Sequence, residues 1–571
     1  MRCPSSEPAS ESDEEILDVD ATAVKPVERL EELFSDMSKN LVYLCADDPV
    51  QYFDWNVSYS KASILGVEKQ IITINDQFPG PILNTTTNNI LNVNVHNNLD
   101  VPFLLTWNGI QQRRDSWQDG VPGTNCPIPP GQNWTYSIQV KDQIGSFFYY
   151  PSLALQRADG GFGPIRINNR IVIPTPFPTP AAEFDILVGD WYTTGHNELR
   201  ASLDMGSSIL NHPAGILING QGPYGSNFTV KPGSLYRFRF SNVGLKTSIN
   251  FRIQNHRMRL IEVEGSHTLQ NYYDTLDIHP GQSYSVLVNA DQPIGSYYMV
   301  ASSRFLEPQL NSTAVLQYAG LGGVTPSFLS SQLPPGPNPN DYTYSIEQAR
   351  SIRWNLTANA ARPNPQGSFH YGSINITRTI VLENNAATID NLRHYTVNGR
   401  IFVYPDTPLK LADYYQIPDV FTLDAIADGP SEVEGAPSAA TSVVDADYKA
   451  FIQIVFQNPE PTLQSWHLDG YSFFVVGMGE GKWNDSMTSF NNKIDAIFRC
   501  TTQVYPNSWT AILLELDNEG MWNLRSMKED RRYLGQELYL RVKGNGAPIS
   551  PRDELPIPSN ALKCGRASSL P

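Results

Sequence analysis

The sequence predicts an all-β protein made of three tandem β-sandwich domains. Period-two alternation is the first observation behind this. Leu91, Val93 and Val95 alternate with Asn92, Asn94 and His96, as a half-buried strand requires. Tyr236-Arg-Phe-Arg-Phe240 places three aromatics on one face and two arginines on the other. Internal repetition is the second. Pro130-Gly-Gln-Asn-Trp-Thr-Tyr-Ser runs on to Ile144-Gly-Ser-Phe-Phe-Tyr149, and Pro280-Gly-Gln-Ser-Tyr-Ser to Ile294-Gly-Ser-Tyr-Tyr298. A weaker copy starts at Pro506-Asn-Ser-Trp-Thr and reaches Asp517-Asn-Glu-Gly-Met-Trp522. Each reads as a turn, an alternating strand, a second turn and an aromatic strand. A shorter motif also recurs, at Ile74-Asn-Asp-Gln-Phe-Pro-Gly-Pro81, Ile218-Asn-Gly-Gln-Gly-Pro223 and Val397-Asn-Gly399. A period of about 150 residues is far too long for a solenoid and implies duplicated domains.

In chain order, residues 1–48 hold 13 acidic and four basic side chains and too few apolar ones for a core. They read as a disordered acidic tail, with a short amphipathic helix at most over Val24–Leu33. Domain 1 is expected over 49–170 and domain 2 over 171–320. Pro174-Thr-Pro-Phe-Pro-Thr-Pro180 forms an extended, semi-rigid join between them. A linker is expected over 321–369, starting with the proline-rich Leu333–Pro339. Domain 3, with a C-terminal tail, takes 370–571. Inside it, the Ala/Ser/Asp/Gly-rich stretch from Ala425 to Asp447 reads as a long flexible loop.

Composition excludes several functions. The net charge of −17 has no basic concentration suited to nucleic acid. No apolar run is long enough to cross a bilayer, and the polar C-terminus offers no lipid-anchor signal. Nine histidines, at 96, 196, 212, 256, 267, 279, 370, 394 and 467, form no His-x-His or His-x-x-x-His pair. No Cys-x-x-Cys is present either, so nothing in the spacing marks a zinc site. No local pair of carboxylates marks a glycosidase. Gly160-Gly161-Phe162-Gly163 lies in a β context, not before a helix, which argues against a phosphate loop. Acceptor sequences for N-glycosylation begin at Asn56, Asn84, Asn133, Asn227, Asn311, Asn355, Asn375 and Asn484. A chain this rich in Asn, Ser and Thr carries several by chance, so they lend secretion only mild support.

One stretch bears on chemistry, Gln464-Ser-Trp-His-Leu-Asp-Gly-Tyr-Ser-Phe473. With Phe53-Asp-Trp-Asn-Val-Ser-Tyr59, Gln77-Phe-Pro-Gly-Pro81, Gly145-Ser-Phe-Phe-Tyr149, Gln156-Arg157 and Gly189-Asp-Trp-Tyr192, it resembles the plant multicopper oxidase superfamily of ascorbate oxidases and laccases. Within that superfamily the chain is most similar to the skewed-growth-similar (SKS) and pollen ascorbate-oxidase-like branch, over roughly residues 50–566. The resemblance implies that each sandwich is a cupredoxin-like Greek-key domain. It also implies a disulfide between Cys126 and Cys564, two free buried thiols being the alternative; Cys500 has no evident partner, and Cys3 and Cys45 lie in the tail.

Active members of the superfamily bind four coppers. A mononuclear centre takes two imidazoles and a thiolate, and a trinuclear centre takes four His-x-His pairs. At the matching positions this chain has Thr106 and Asn108, Tyr150 and Ser152, then Gln464, His467 and Asp469, then Arg525, Ser526, Met527 and Arg531. Gln536 stands at the axial position. His467 alone among these eleven is the residue the pattern expects. A serine hydroxyl cannot supply the thiolate, and two arginines bring fixed positive charge to where a cation would sit. His467 is therefore expected to be a remnant ligand, hydrogen-bonded to a neighbour such as Asp469.

The expectation is a multicopper-oxidase-like glycoprotein that is not an enzyme and needs no cofactor, copper being implied by the resemblance alone. The resemblance also implies an extracellular, apoplastic or cell-wall location and a role in directional cell expansion, including pollen-tube growth. Wall polysaccharide or a surface protein is the expected partner. Two alternatives stay open: a copper-dependent oxidoreductase of L-ascorbate oxidase type, and a wall-polysaccharide-binding protein. The N-terminus as written shows no secretory signal, and an aberrant first exon is the expected explanation.

Overall fold

The computed structural model describes residues 48–207, 209–320, 332–356, 375–430, 436–544 and 553–570. The acidic tail expected over 1–48, with its helix and Cys3 and Cys45, falls almost wholly outside them. From Gln51 onward the chain forms one compact unit.

Domain 1 has eight strands: β1 (Val50–Ile64), β2 (Val67–Ile74), β3 (Leu83–Thr86), β4 (Ile90–Asn97), β5 (Leu105–Asn108), β6 (Asn133–Gln139), β7 (Gly145–Pro151) and β8 (Gly163–Asn168). They make two four-stranded sheets, β2-β1-β4-β6 and β3-β8-β7-β5. In β4 the alternation holds, with Leu91, Val93 and Val95 buried between half-buried polar neighbours. They join Trp55, Trp107, Trp134, Tyr136 and Tyr149 in the core between the sheets. Domain 2 packs a seven-stranded sheet on a five-stranded one, and domain 3 an eight-stranded sheet on a six-stranded one. Each has its own apolar core.

The repeats owe their form to turn geometry. In the shorter motif, Asn75-Asp76, Asn219-Gly220 and Asn398-Gly399 all have positive φ at both residues. Two consecutive left-handed residues are what the tightest hairpin turn demands, and Asn, Asp and Gly tolerate them best. In the longer repeat, the residue after the proline is left-handed in every copy: Gly131, Gly281 and Asn507. The strands Asn133–Gln139, Ser283–Asn289 and Ser508–Glu515 follow those turns.

Three expectations change. The strand Leu235–Asn242 buries Tyr236, Phe238 and Phe240 as its alternation requires, but Arg237 and Arg239 are buried as well. Arg239 donates to Glu183 at 2.7 Å and to Ser146 of domain 1 at 2.9 Å, and Arg237 pairs with Glu262 at 2.9 Å. Arg239 thus reaches domain 1, and carboxylates of domain 2 itself offset the cost of burying both charges. Second, Ala425–Asp447 is not one long loop. Strands form at Ser438–Ala440 and Ser442–Asp447, and the latter pairs in parallel with Glu537–Lys543 and buries Val443 and Val444. The small residues around them masked two β-branched side chains that had a core to enter. Residues 431–435 of this stretch lie outside the described ones. Third, the expected linker contains a helix, Tyr342–Ser351, capped by Asp341. The Tyr344 hydroxyl lies 2.6 Å from that of Thr275, and Gln348 accepts from Asp277 N at 2.7 Å, which pins the helix to domain 2. Residues 321–331 and 357–369 of the linker, and 370–374 of domain 3, are not described.

A disulfide joins Cys126 of domain 1 to Cys564 near the C-terminus, 438 residues away. Cys126→Ser is expected to destabilise the chain by about 2–4 kcal/mol, because the open chain regains loop entropy when unfolded. Guanidinium denaturation of both forms without reductant checks this, and an unchanged midpoint would contradict it.

Candidate functional site

The residues at the ligand-like positions do converge. β5 carries Thr106 and Asn108, and β7 carries Tyr150 and ends at Pro151, one residue before Ser152. The strand Gln464–Leu468 carries Gln464 and His467, and it pairs with Gly520–Ser526, which carries Arg525 and Ser526. The turn after Ser526 leads into a short helix, Glu529–Tyr533, that includes Arg531. All are buried, most of them completely.

At the centre lies an ion pair. The guanidinium of Arg525 donates to Asp469, to Asn523 at 3.0 Å and to the Tyr150 hydroxyl at 3.0 Å. Asp469 also meets His467 Nε2 at 2.9 Å. A carboxylate can only accept, so Nε2 carries the proton and Nδ1, 2.7 Å from the Thr501 hydroxyl, acts as acceptor. Burial pushes the His467 pKa down, which keeps the ring neutral. Burial works the other way on Asp469, but the Arg525 charge and the His467 hydrogen bond outweigh it and hold the carboxyl ionised. Asp119, beside it, is raised well above the usual carboxylate range, by burial first and by the Asp469 charge second.

A second chain of charges lies alongside. Arg157 meets Glu529 at 2.9 Å and stacks 4.4 Å from the Tyr150 ring centre. Arg532 reaches Glu529 at 3.3 Å, Glu537 at 3.4 Å and the Ser152 carbonyl at 2.9 Å. The remaining positions are tied to backbone or to a soft neighbour. Thr106 donates to Asp119 O at 2.9 Å, Asn108 to Gly281 O at 3.0 Å and Ser152 to Gly120 O at 2.7 Å. Met527 Sδ lies 4.0 Å from the Tyr150 hydroxyl.

The second cluster, around Gln464, Ser526, Arg531 and Gln536, is built the same way. Arg531 holds Glu460 at 2.5 Å, donates to Gln536 at 3.2 Å and lies 4.2 Å from the Tyr395 ring centre. Gln464 donates to the Thr462 carbonyl at 3.2 Å, and the Ser526 hydroxyl accepts from Lys528 N at 3.2 Å.

Multicopper oxidase models match residues 56–171, 183–321 and 406–546. The L-ascorbate oxidase homolog of Brassica napus is 51% identical over 93% of this chain and 95% of its own. The chain belongs to the multicopper oxidase family. The monocopper oxidase-like protein SKU5 of Arabidopsis thaliana is 50% identical over 93% of this chain and 92% of its own, which places the chain in the plant branch of such homologs. Among solved structures, the laccase of Botrytis aclada covers 87% of this chain and 89% of its own, with a TM-score of 0.70 and 22% identity. The folds therefore agree: three cupredoxin-like domains in tandem.

The family implies copper, so donor chemistry is the test. One imidazole is present, and both of its nitrogens are engaged. The cluster centre holds a guanidinium, which carries five donors and no lone pair to offer. In the second cluster the orphaned buried atoms are amide ones, Gln464 Oε1 and Gln536 Nε2, not sulfur or imidazole. Among the described residues no group of three or more His, Cys, Asp and Glu is placed to hold a metal. These residues do not fit a copper centre.

The ligand-like positions were legible one by one in the sequence. Their partners Asp119, Glu460, Glu529 and Glu537 were not. The one available hint was the run of arginines at 525, 531 and 532, since buried arginines need carboxylates. Of the acceptor asparagines, seven are exposed and Asn355 is half-buried. Cys500 is free and buried, its Sγ 3.2 Å from Glu264.

Proposed function

We propose that this chain is a non-catalytic member of the family, whose former metal cavities have become internal salt bridges and which acts at the plant cell surface or wall. The observation that carries this is the Arg525–Asp469–His467 cluster. It puts a permanent cation, a bound carboxylate and a neutral imidazole where metal chemistry would need several free imidazoles. The same residues hold domains 1 and 3 together through Tyr150, so the site's present work is structural.

An extracellular location is supported by the seven exposed acceptor asparagines and by the long-range disulfide, which persists in oxidising surroundings. The branch to which the chain belongs points to directional cell expansion, including pollen-tube growth. Action would then be by binding, with wall polysaccharide or a surface protein as partner, not by turnover.

Metal analysis of the purified protein tests the reading. Copper well below one ion per chain is expected, with no blue thiolate absorption and no oxygen uptake on ascorbate or a phenol. Four coppers per chain with oxygen uptake would establish the copper-dependent oxidoreductase instead.

A further inference from the structure

The face of domain 1 that points away from its core carries a groove that the buried clusters do not use. β1, β4 and β6 lie side by side in one sheet. Asn92 sits opposite Ser137 and Asn94 opposite Thr135, all four on the outer side. With Tyr52, Phe53 and Asp54 of β1 they line an open cavity of about 380 Å³, bordered by Pro558 and Asn560 of the C-terminal segment. That volume falls within the range of small-ligand clefts.

We infer that this groove binds a neutral glycan chain. Tyr52 is 78% exposed, an open aromatic ring at the lip of a polar floor. A sugar ring offers an apolar C–H face that packs on such a ring and hydroxyls at its edge that both donate and accept. Side-chain amides, carboxylates and hydroxyls are the complementary groups. The floor supplies all three, and part of it is already set in place. Asn94 donates to Asp54 Oδ1 at 3.0 Å, and its Oδ1 accepts from Thr135 at 3.2 Å and from Asn133 at 2.8 Å. Groups held this way lose little freedom on binding.

Charge selects the class of glycan. No lysine or arginine lines the groove, and Asp54 is the sole charged residue among those lining it. A polyuronate would bring carboxylates against Asp54 with no lysine or arginine to offset them, the His96 imidazole 3.8 Å from Asp54 being the one basic group beside it. A neutral β-linked chain meets no such penalty. The inference rests on the cell-wall reading above and names the ligand class within it.

The test uses the full chain, its N-glycans trimmed so that a sugar on Asn133 does not crowd the groove. Cellohexaose, mannohexaose and xylohexaose are titrated by calorimetry, with polygalacturonate as the acidic comparator. Tyr52→Ala and Asn92→Ala are the variants, and their melting temperatures are measured beside the titrations. Expected is saturable binding of at least one neutral oligosaccharide, weakened tenfold or more in both variants with melting unchanged. No binding at millimolar concentration, equal binding by both variants, or binding of polygalacturonate alone overturns the inference. Copper content and oxygen uptake are measured on the same preparation. A copper oxidase that binds glycan is thereby told apart from a copper-free protein that binds none.

Discussion

Asp469→Ala is expected to cost about 3–5 kcal/mol of stability. Arg525 and Asp469 are fully buried, and Arg525 cannot lose its proton to escape the penalty. Removing the carboxylate leaves a guanidinium in a desolvated cavity with Tyr150 and Asn523 as its remaining neighbours in that network. His467 loses its Nε2 acceptor in the same step. The double variant Asp469→Ala/Arg525→Met should recover a large part of the loss, because an apolar chain of similar length needs no counter-charge. Urea denaturation of the wild type, the two single variants and the double variant closes the cycle. A loss under about 1 kcal/mol in the single variant would mean that water enters the cavity and the cluster is not the closed structure described.

Asp115 should make the protein less stable as pH rises. Asp115 is half-buried before a short 3-10 turn, its Oδ1 buried and lacking a hydrogen-bond partner, and its pKa is raised to about 7. Burial is the main cause and the charge of Glu554 the next. A raised folded-state pKa means that the folded form holds its proton after the unfolded form has released it. The stabilising effect is complete below about 3.8, the ordinary value, and declines as pH climbs to about 7. Above that it stays constant. At 1.36 kcal/mol per unit, the full span is on the order of 4 kcal/mol. Asp115→Asn should flatten this part of the stability curve and raise the denaturation midpoint at pH 8 relative to wild type, with little change at pH 4. An unchanged slope in the variant would show that other groups produce it.

Much of the fold was legible because it rests on short-range rules. Asn75-Asp76, Asn219-Gly220 and Asn398-Gly399 state their turn geometry in two residues each, and β4 states its buried face in eight. Where tertiary packing overrides local composition, the reading failed. Val443 and Val444 sit among small and acidic residues that suggest a loop, yet their partner strand is Glu537–Lys543, nearly a hundred positions away. Arg237 and Arg239 alternate as a solvent face would, but both are buried, Arg237 against Glu262 and Arg239 against Glu183 and Ser146 of domain 1.

The candidate site divides in the same way. By itself the sequence determined that three repeated β-sandwich domains exist. Through the family resemblance it also aligned Arg525, Ser526, Arg531 and Asp469 with positions where active members carry imidazoles and a thiolate. Strand period and turn geometry are properties of a few adjacent side chains, which is why the fold was legible there. Only the tertiary structure decided which partners those side chains find. Arg157 finds Glu529 across 372 positions, Arg525 finds Tyr150 across 375, and Arg531 finds Glu460 across 71. A buried charge is stable only beside its partner, and folding across domains, not spacing along the chain, selects that partner.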